Sequence, residues 1–385
     1  MGGIGMSIVQ LDDICEFIVD CPHTTARDEG TGYPLVRTPN IGRGRLIYTG
    51  MHRVSLEIYN KRNARAIPQK DDLIFAREAT AGNVALIQEG EKICLGQRTV
   101  LLRPNKSYVS PAYLTYCLLA PKQQYNLLCT ANGATVAHVN LPTIRNLKID
   151  LPGISIQNKI ATILSRYDSL IDNYQKQIKL LEEAAQRLYK EWFVDLRFPG
   201  YENTPVVDGV PEGWEKKKLG DISVFKRGKT ITKKNVIEGT IPVVAGGLEP
   251  AYYCNKSNTS NRVITISGSG ANAGFTRMYY EKVWASDCSY IDSDSTQYLH
   301  FTYCYLQSNK KVVDNMQKGA AQPHVYAKDI NNLDVIIPEK LLFDRFELYI
   351  STFFDEIKSV EAQIRLLTEA RDRLLPKLMS GEIEV

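Results

Sequence analysis

GATVAHVNLPTIRNLKIDLP, residues 133–152, is matched without a gap by GAAQPHVYAKDINNLDVIIP, residues 319–338. His138 and His324 align, 186 residues apart (324 − 138), and at the same offset Ile144 pairs with Ile330, Leu147 with Leu333 and Pro152 with Pro338. Further on, QIKLLEEAAQRL (177–188) meets QIRLLTEARDRL (363–374). Upstream the match is looser: LDDI (11–14) against LGDI (219–222), YPLV (33–36) against IPVV (241–244), TYC (115–117) against TYC (302–304). The chain is two copies of one unit, and such self-similarity sets the architecture before any local reading. Part of each copy stays similar while the rest diverges. That pattern suits two elements with a shared mechanical role beside two with different specificities; a duplication whose loops drifted freely is the alternative.

The similar parts include two long amphipathic stretches. Ile156, Ile160, Ile163, Tyr167, Ile171, Tyr174, Ile178, Leu181, Ala185, Leu188 and Trp192 step mostly by fours and threes, as do Phe346, Ile350, Phe353, Ile357, Val360, Ile364, Leu367, Arg371, Leu374 and Leu378. Sustained heptads predict a coiled-coil seam, with each helix roughly 50–60 Å long at about 1.5 Å per residue. A lone helix of that length leaves its apolar stripe in water, so the two are expected to pack on each other as an antiparallel pair. Packing of each helix on its own domain alone is the other reading.

Local chemistry sets the boundaries. Leu151-Pro152-Gly153 breaks the chain before the first helix, Pro199-Gly200 ends it, and Pro338 marks the second junction. Residues 199–213 (PGYENTPVVDGVPEG) read as an irregular linker, and Pro376 is expected to kink or end the second helix early. Residues 11–150 and 219–336 hold short β-branched or aromatic runs between turn residues, with one short helix each near 110–120 and 297–307. The expected fold class is α+β: two mixed α/β globular domains (1–153 and 214–338) separated by two long helices (154–198 and 339–385) packed as an antiparallel coiled coil, with a pseudo-two-fold internal repeat.

The 385 residues, 44% hydrophobic and 23% charged, have the balance of an ordinary globular protein and argue against disorder. No stretch approaches a membrane helix and Met1–Gln10 lacks signal-peptide character, so a cytoplasmic location is expected, without membrane partners. Eight scattered cysteines form no C-x-x-C pair and are expected to be reduced and mostly buried. The net charge of +4 fits nucleic-acid binding without demanding it. There is no phosphate-binding G-x-x-x-x-G-K-[ST] loop, and GSGANAG (268–274) departs from the dinucleotide fingerprint. The five histidines have no metal-ligand spacing, and the repeat-equivalent His138 and His324 suit a structural role. No catalytic or metal residue is therefore assigned.

What remains is a set of loops rich in the residues that contact phosphates and base edges. In the first unit, RTPNIGRGR (37–45) offers Arg37, Asn40, Arg43 and Arg45, with two glycines that allow close backbone approach, and Arg77 and Arg98 are further candidates. The second unit concentrates Lys226, Arg227, Lys229, Lys233 and Lys234 in FKRGKTITKKN (225–235), and Ser269 and Asn272 lie in the glycine loop. As a group they favour a nucleic-acid surface.

YKEWFVDLRFPG (189–200), GWEKKKLGDI (213–222) and RDRLLPKLMSGEI (371–383), set among two variable units and two similar long helices, resemble the specificity subunits of type I restriction–modification enzymes. The resemblance spans nearly the whole chain apart from residues 1–6. It implies two target-recognition domains, each reading one half of a split site on double-stranded DNA, with the helices as a ruler. It further implies methyltransferase subunits bringing S-adenosylmethionine, and restriction/translocase subunits bringing ATP and Mg, with no cofactor or catalytic site in this chain. The aromatic cluster Tyr189, Trp192, Phe193 and Phe198 is read either as a methyltransferase-docking patch or as a seal between the helix and a neighbouring domain. A coiled-coil scaffold, or another DNA-binding protein outside restriction–modification, is the alternative to the functional reading.

Overall fold

The computed structural model describes residues 6–129, 138–317 and 323–385, and the chain divides into two compact units, residues 1–173 with 364–385 and residues 174–363. In chain order the first unit holds β1 (Ser7–Gln10), β2 (Cys15–Asp20), β3 (Tyr33–Val36), β4 (His52–Val54), α1 (Leu56–Arg62), β5 (Leu73–Ala76), β6 (Val84–Leu86), β7 (Cys94–Leu95) and β8 (Thr99–Pro104). There follow α2 (Pro111–Leu119), α3 (Pro121–Leu128), α4 (Leu141–Arg145), β9 (Lys148–Leu151) and the long α5 (Ile154–Tyr189), which runs on into the second unit. The strands form an antiparallel sheet in the order β2-β8-β5-β6, a three-stranded sheet β4-β3-β7 whose β3–β7 pair is parallel, and the pair β1-β9.

The second unit begins with the hairpin β10 (Val206–Val207) and β11 (Val210–Pro211), followed by β12 (Glu215–Lys218), β13 (Lys226–Arg227), β14 (Ile241–Val244), β15 (Tyr252–Cys254), β16 (Val263–Ser267), β17 (Thr276–Tyr279), β18 (Trp284–Ala285) and β19 (Cys288–Asp292). It continues through α6 (Leu299–Ser308), α7 (Lys310–Asn315), α8 (Ala327–Asn331), β20 (Asp334–Ile337) and α9 (Lys340–Ser380), whose last residues belong to the first unit. Its sheets are β13-β19-β16-β17, β15-β14-β18 with a parallel β14–β18 pair, and β12-β20. Sheet for sheet this is the topology of the first unit, so the duplication read from residues 133–152 and 319–338 extends to the diverged parts.

Leu73-Ile74-Phe75-Ala76 shows why the strands read as unbroken apolar runs. Successive side chains point to opposite faces: Leu73 and Phe75 enter the core shared with α2, whereas Ile74 and Ala76 enter the core under the three-stranded sheet. With both faces covered, no polar alternation survives.

The long helices are antiparallel within each unit. In the second, Gln177 of α5 donates to Glu356 of α9 at 3.2 Å, while Tyr189, farther along α5, packs near Phe346, earlier in α9. In the first, Arg371 of α9 binds Asp168 of α5 at 2.6 Å, and Leu375 and Leu378, farther along α9, share a core with Leu164 and Ile160, earlier in α5. Each helix also ties down its own domain. Gln157 accepts from the backbone N–H of Ser110, at the start of α2, at 2.8 Å and donates to the Tyr108 and Pro152 carbonyls. Glu347 accepts the N–H groups of His300 and Phe301 at 3.0 and 3.1 Å, satisfying donors that the first turn of α6 leaves open.

Three expectations are corrected. α9 continues through Pro376 to Ser380: a proline this near the end removes one ladder bond, and the burial of Leu375 and Leu378 holds the last turn. The linker is not wholly irregular, because Asp208 and Gly209, both at positive φ, make the two-residue turn of β10–β11. Among the described residues each domain carries three short helices after its main sheet where one was expected. Among the same residues no helix is long and apolar enough to cross a membrane.

Candidate nucleic-acid interface

At one end of the first unit's main sheet, where β5 stops and β8 starts, four chain segments meet. The Arg77 N–H donates to the Arg98 carbonyl at 2.9 Å, and the Val139 N–H to the Arg77 carbonyl at 3.0 Å. The Arg77 guanidinium is buried and fully engaged: Nε donates to the Val139 carbonyl (3.0 Å), Nη1 to Asp20 (2.8 Å) and Nη2 to His138 Nε2 (3.0 Å). A guanidinium only donates, so His138 Nε2 accepts and its proton sits on Nδ1. From there it donates to Glu78 at 2.6 Å, and the other Glu78 oxygen holds Arg98 at 2.5 Å. His23, largely exposed, closes the chain on Asp20 at 3.2 Å. The same arginine–histidine–glutamate relay recurs elsewhere in the second unit, where Arg262 donates to His300 Nε2 at 3.0 Å and His300 Nδ1 faces Glu347 at 2.7 Å.

The second unit builds the corresponding place from other residues. Pairing registers align Ala76–Thr99 with Ser267–Cys288, and Asp20–Val100 with Arg227–Ser289. Loop hydrogen bonds agree: Gly268 N–H to the Asp287 carbonyl (3.2 Å) repeats Arg77 to Arg98, and Val325 N–H to the Gly268 carbonyl (3.1 Å) repeats Val139 to Arg77. Position by position, Asp20 corresponds to Arg227, Arg77 to Gly268, Glu78 to Ser269, Arg98 to Asp287 and His138 to His324. Ser269 Oγ donates to Asp287 at 2.5 Å, Arg227 lies 3.6 Å from the other Asp287 oxygen, and Arg227 and Asp287 with His324 and Tyr326 border a small surface recess.

The candidate contacts separate by burial. Asn40 is buried with its amide used at both ends, accepting from the Arg37 N–H at 3.2 Å and donating to the Ile47 carbonyl at 3.0 Å, so it builds the loop and does not face a ligand. Arg77 is likewise corrected to an internal brace. Arg37 donates to the Gly50 carbonyl (2.9 Å), Arg43 to the Leu119 carbonyl (3.1 Å), and Arg45 pairs with Asp172 of α5. The glycines of that loop serve its own closure: a Cβ on Gly42 would lie 2.8 Å from the Arg45 carbonyl. Arg98 stays 59% exposed. In the second unit Lys226, Arg227, Lys229, Lys233 and Lys234 are all exposed, and among the described residues no carboxylate comes within ion-pairing distance of the four lysines. Asn272 only reaches the Gly246 carbonyl at 3.4 Å, within the turn joining β16 to β17.

The aromatic cluster is core. Trp192 is 6% exposed and Tyr189 and Phe198 are buried with it. Phe193 packs at 4.7 Å from Phe346 and 4.9 Å from Phe301, and Phe198 at 4.7 Å from Trp214, the packing that a seal between helix and domain requires. A π-helical turn over Lys190–Val194 brings adjacent Trp192 and Phe193 inward together. Asp20 and Glu78 in the first unit, and Asp287 at the equivalent place in the second, carry no local sequence signal; strand pairing sets the first two around Arg77 and His138 and the third beside Ser269 and Arg227.

Two regions of the chain, residues 4–183 and 211–351, match the model of the type I restriction modification DNA specificity domain, one over each copy of the repeat. The chain belongs to that family, as a DNA sequence-recognition subunit with a duplicated specificity domain. The MjaIX specificity subunit of Methanocaldococcus jannaschii is 27% identical, over 92% of this chain and 88% of that protein. The HindI specificity subunit of Haemophilus influenzae is 21% identical, over 83% and 88%. The S subunit of M. genitalium has a similar fold, with a TM-score of 0.56 at 17% identity over 98% of this chain and 97% of that one.

Proposed function

We propose that this chain is the non-catalytic reader of a type I restriction–modification complex. Each domain reads one half of a bipartite site on double-stranded DNA; α5 and α9 set the spacing and carry the docking faces for methyltransferase subunits. S-adenosylmethionine belongs on those subunits, and ATP and Mg on restriction/translocase subunits. The observation that carries this reading is a duplicated specificity domain with one topology and two different strand-end chemistries. With the Trp192 cluster buried, docking falls to helix residues left exposed, such as Leu341 and Leu348 of α9.

Co-expression with the neighbouring methyltransferase subunit, followed by mapping of methylated adenines, tests it. A split motif with a fixed spacer is expected, and exchanging residues 11–150 for those of a relative should alter one half only. The scaffold alternative has no place for salt-sensitive DNA binding, whereas the exposed lysines of 226–234 call for it. Methylation that is unchanged when this chain is deleted would overturn the proposal.

A further inference from the structure

The two equivalent strand-end clusters differ in one informative way. Three interior positions on the same strands stay apolar, with Leu73 matched by Ile264, Phe75 by Ile266 and Leu102 by Ile291. The backbone hydrogen bonds at the strand ends are kept as well. Yet the side chains there reverse charge at two positions: Asp20 becomes Arg227, and Arg98 becomes Asp287. Each cluster holds an ion pair, built from different positions: Arg77 with Asp20 at 2.8 Å, buried, in the first unit, and Arg227 with Asp287 at 3.6 Å, at the surface, in the second. The group shown to solvent is what changes. The first unit presents the Arg98 guanidinium, 59% exposed, where the second presents the Asp287 carboxylate, 38% exposed.

The arrangement is also held in place. Arg98 has a φ of 63°, a left-handed conformation that side chains larger than glycine adopt at a cost and that concentrates at functional sites. Its carbonyl is pinned by the Arg77 N–H and one of its Nη atoms by Glu78, which His138 holds in turn. The remaining guanidinium edge keeps donors in a fixed fork.

We infer that these clusters are where each half reads its bases: Arg98 donates to the O6/N7 edge of a guanine in one half-site, and Asp287 accepts from the exocyclic amine of a cytosine in the other. Both contacts use the major groove, where those patterns are distinguishable. Glu78, His138 and Arg77 act through Arg98 as positioning residues, while Arg227 leads the lysine run toward phosphate. This assignment rests on the DNA-reading function proposed above.

The test selects full-length chain, co-purified with its methyltransferase partner, against a duplex library with a randomised interior. Wild type should enrich a split motif. Arg98→Ala should lose preference at a guanine in one half by about tenfold or more, leaving the other half intact. Arg98→Lys should restore it only in part, since a flexible ammonium lacks the rigid planar fork that Glu78 holds in place. Asp287→Asn should relax a cytosine in the second half, and Arg227→Ala should weaken all sequences alike and flatten the salt dependence. Both Arg98 and Asp287 are exposed enough that melting temperatures should match wild type. If wild type enriches a split motif and the Arg98→Ala and Asp287→Asn chains enrich the same one with the same strength, the assignment is wrong. If wild type enriches no motif, the DNA-reading function fails with it.

Discussion

Arg77 and Arg98 are alike in sequence and opposite in role. Arg77 is a brace whose removal strands the mostly buried Asp20 and unpins His138, so Arg77→Ala should cost about 3 kcal/mol in denaturant unfolding. Arg98→Ala should stay within about 0.5 kcal/mol, because its side chain is largely solvated. Equal losses for the two would show that the brace is not one. The cysteines divide in the same way. Burial pushes the thiols of Cys94 up to about 11 and of Cys117 and Cys288 up to about 12, which keeps them protonated and unreactive at neutral pH. Cys129 is exposed. Mass spectrometry after brief alkylation near neutral pH should find Cys129 modified first, and equally rapid labelling of Cys117 would contradict its placement inside the core.

Among the elements, the heptads of α5 and α9 were legible because a seam repeats its apolar residues at fixed steps, whatever the fold around it. What the pattern hid is that the seam is not uniform. In the first unit Arg371, at a seam position, binds Asp168, which also accepts from Tyr116 of α2 at 2.5 Å, so three helices meet on one carboxylate. The repeat-equivalent place in the second unit is apolar: Tyr303 stacks edge-on to Phe354, and Ala185 is buried in the same core. A double-mutant cycle of Asp168→Ala and Arg371→Ala, read by unfolding, should give a coupling of about 1–2 kcal/mol; additive losses would mean the pair does not couple the helices. Trp192→Ala should cost about 3–5 kcal/mol as a core truncation. A variant of unchanged stability that lost its partner would favour the docking patch.

For the whole molecule, α5 and α9 each contribute residues to both units, α5 on either side of Asn173–Tyr174 and α9 on either side of Gln363–Ile364. Inserting one heptad at each of these points preserves the helix faces and adds about 10 Å, close to three base pairs at roughly 3.4 Å each. Under the ruler function the spacer of the methylated motif should grow by about that amount, with both half-sites unchanged. A constant spacer would remove the ruler from the proposal.

The sequence by itself determined the duplication and the two long helices, since each is written as periodicity in the chain. The first helix stops short of Pro199-Gly200, where turn chemistry alone had set its end, with α5 closing at Tyr189 and a π-helical turn running on to Val194. The sequence also determined the family, through segments at the helix ends. Only the tertiary structure decided which polar residues face outward. Asn40 shares a loop with Arg43, and Arg77 its residue type with Arg98, yet Asn40 and Arg77 are buried; the burial of Arg77 depends on segments far away in sequence, with Asp20 and His138 beside it. Strand pairing likewise superposes Arg98 on Asp287 and Asp20 on Arg227, a correspondence that drifted loop lengths conceal from any fixed offset but that hydrogen-bond registers preserve, because backbone groups must pair whatever side chains they carry.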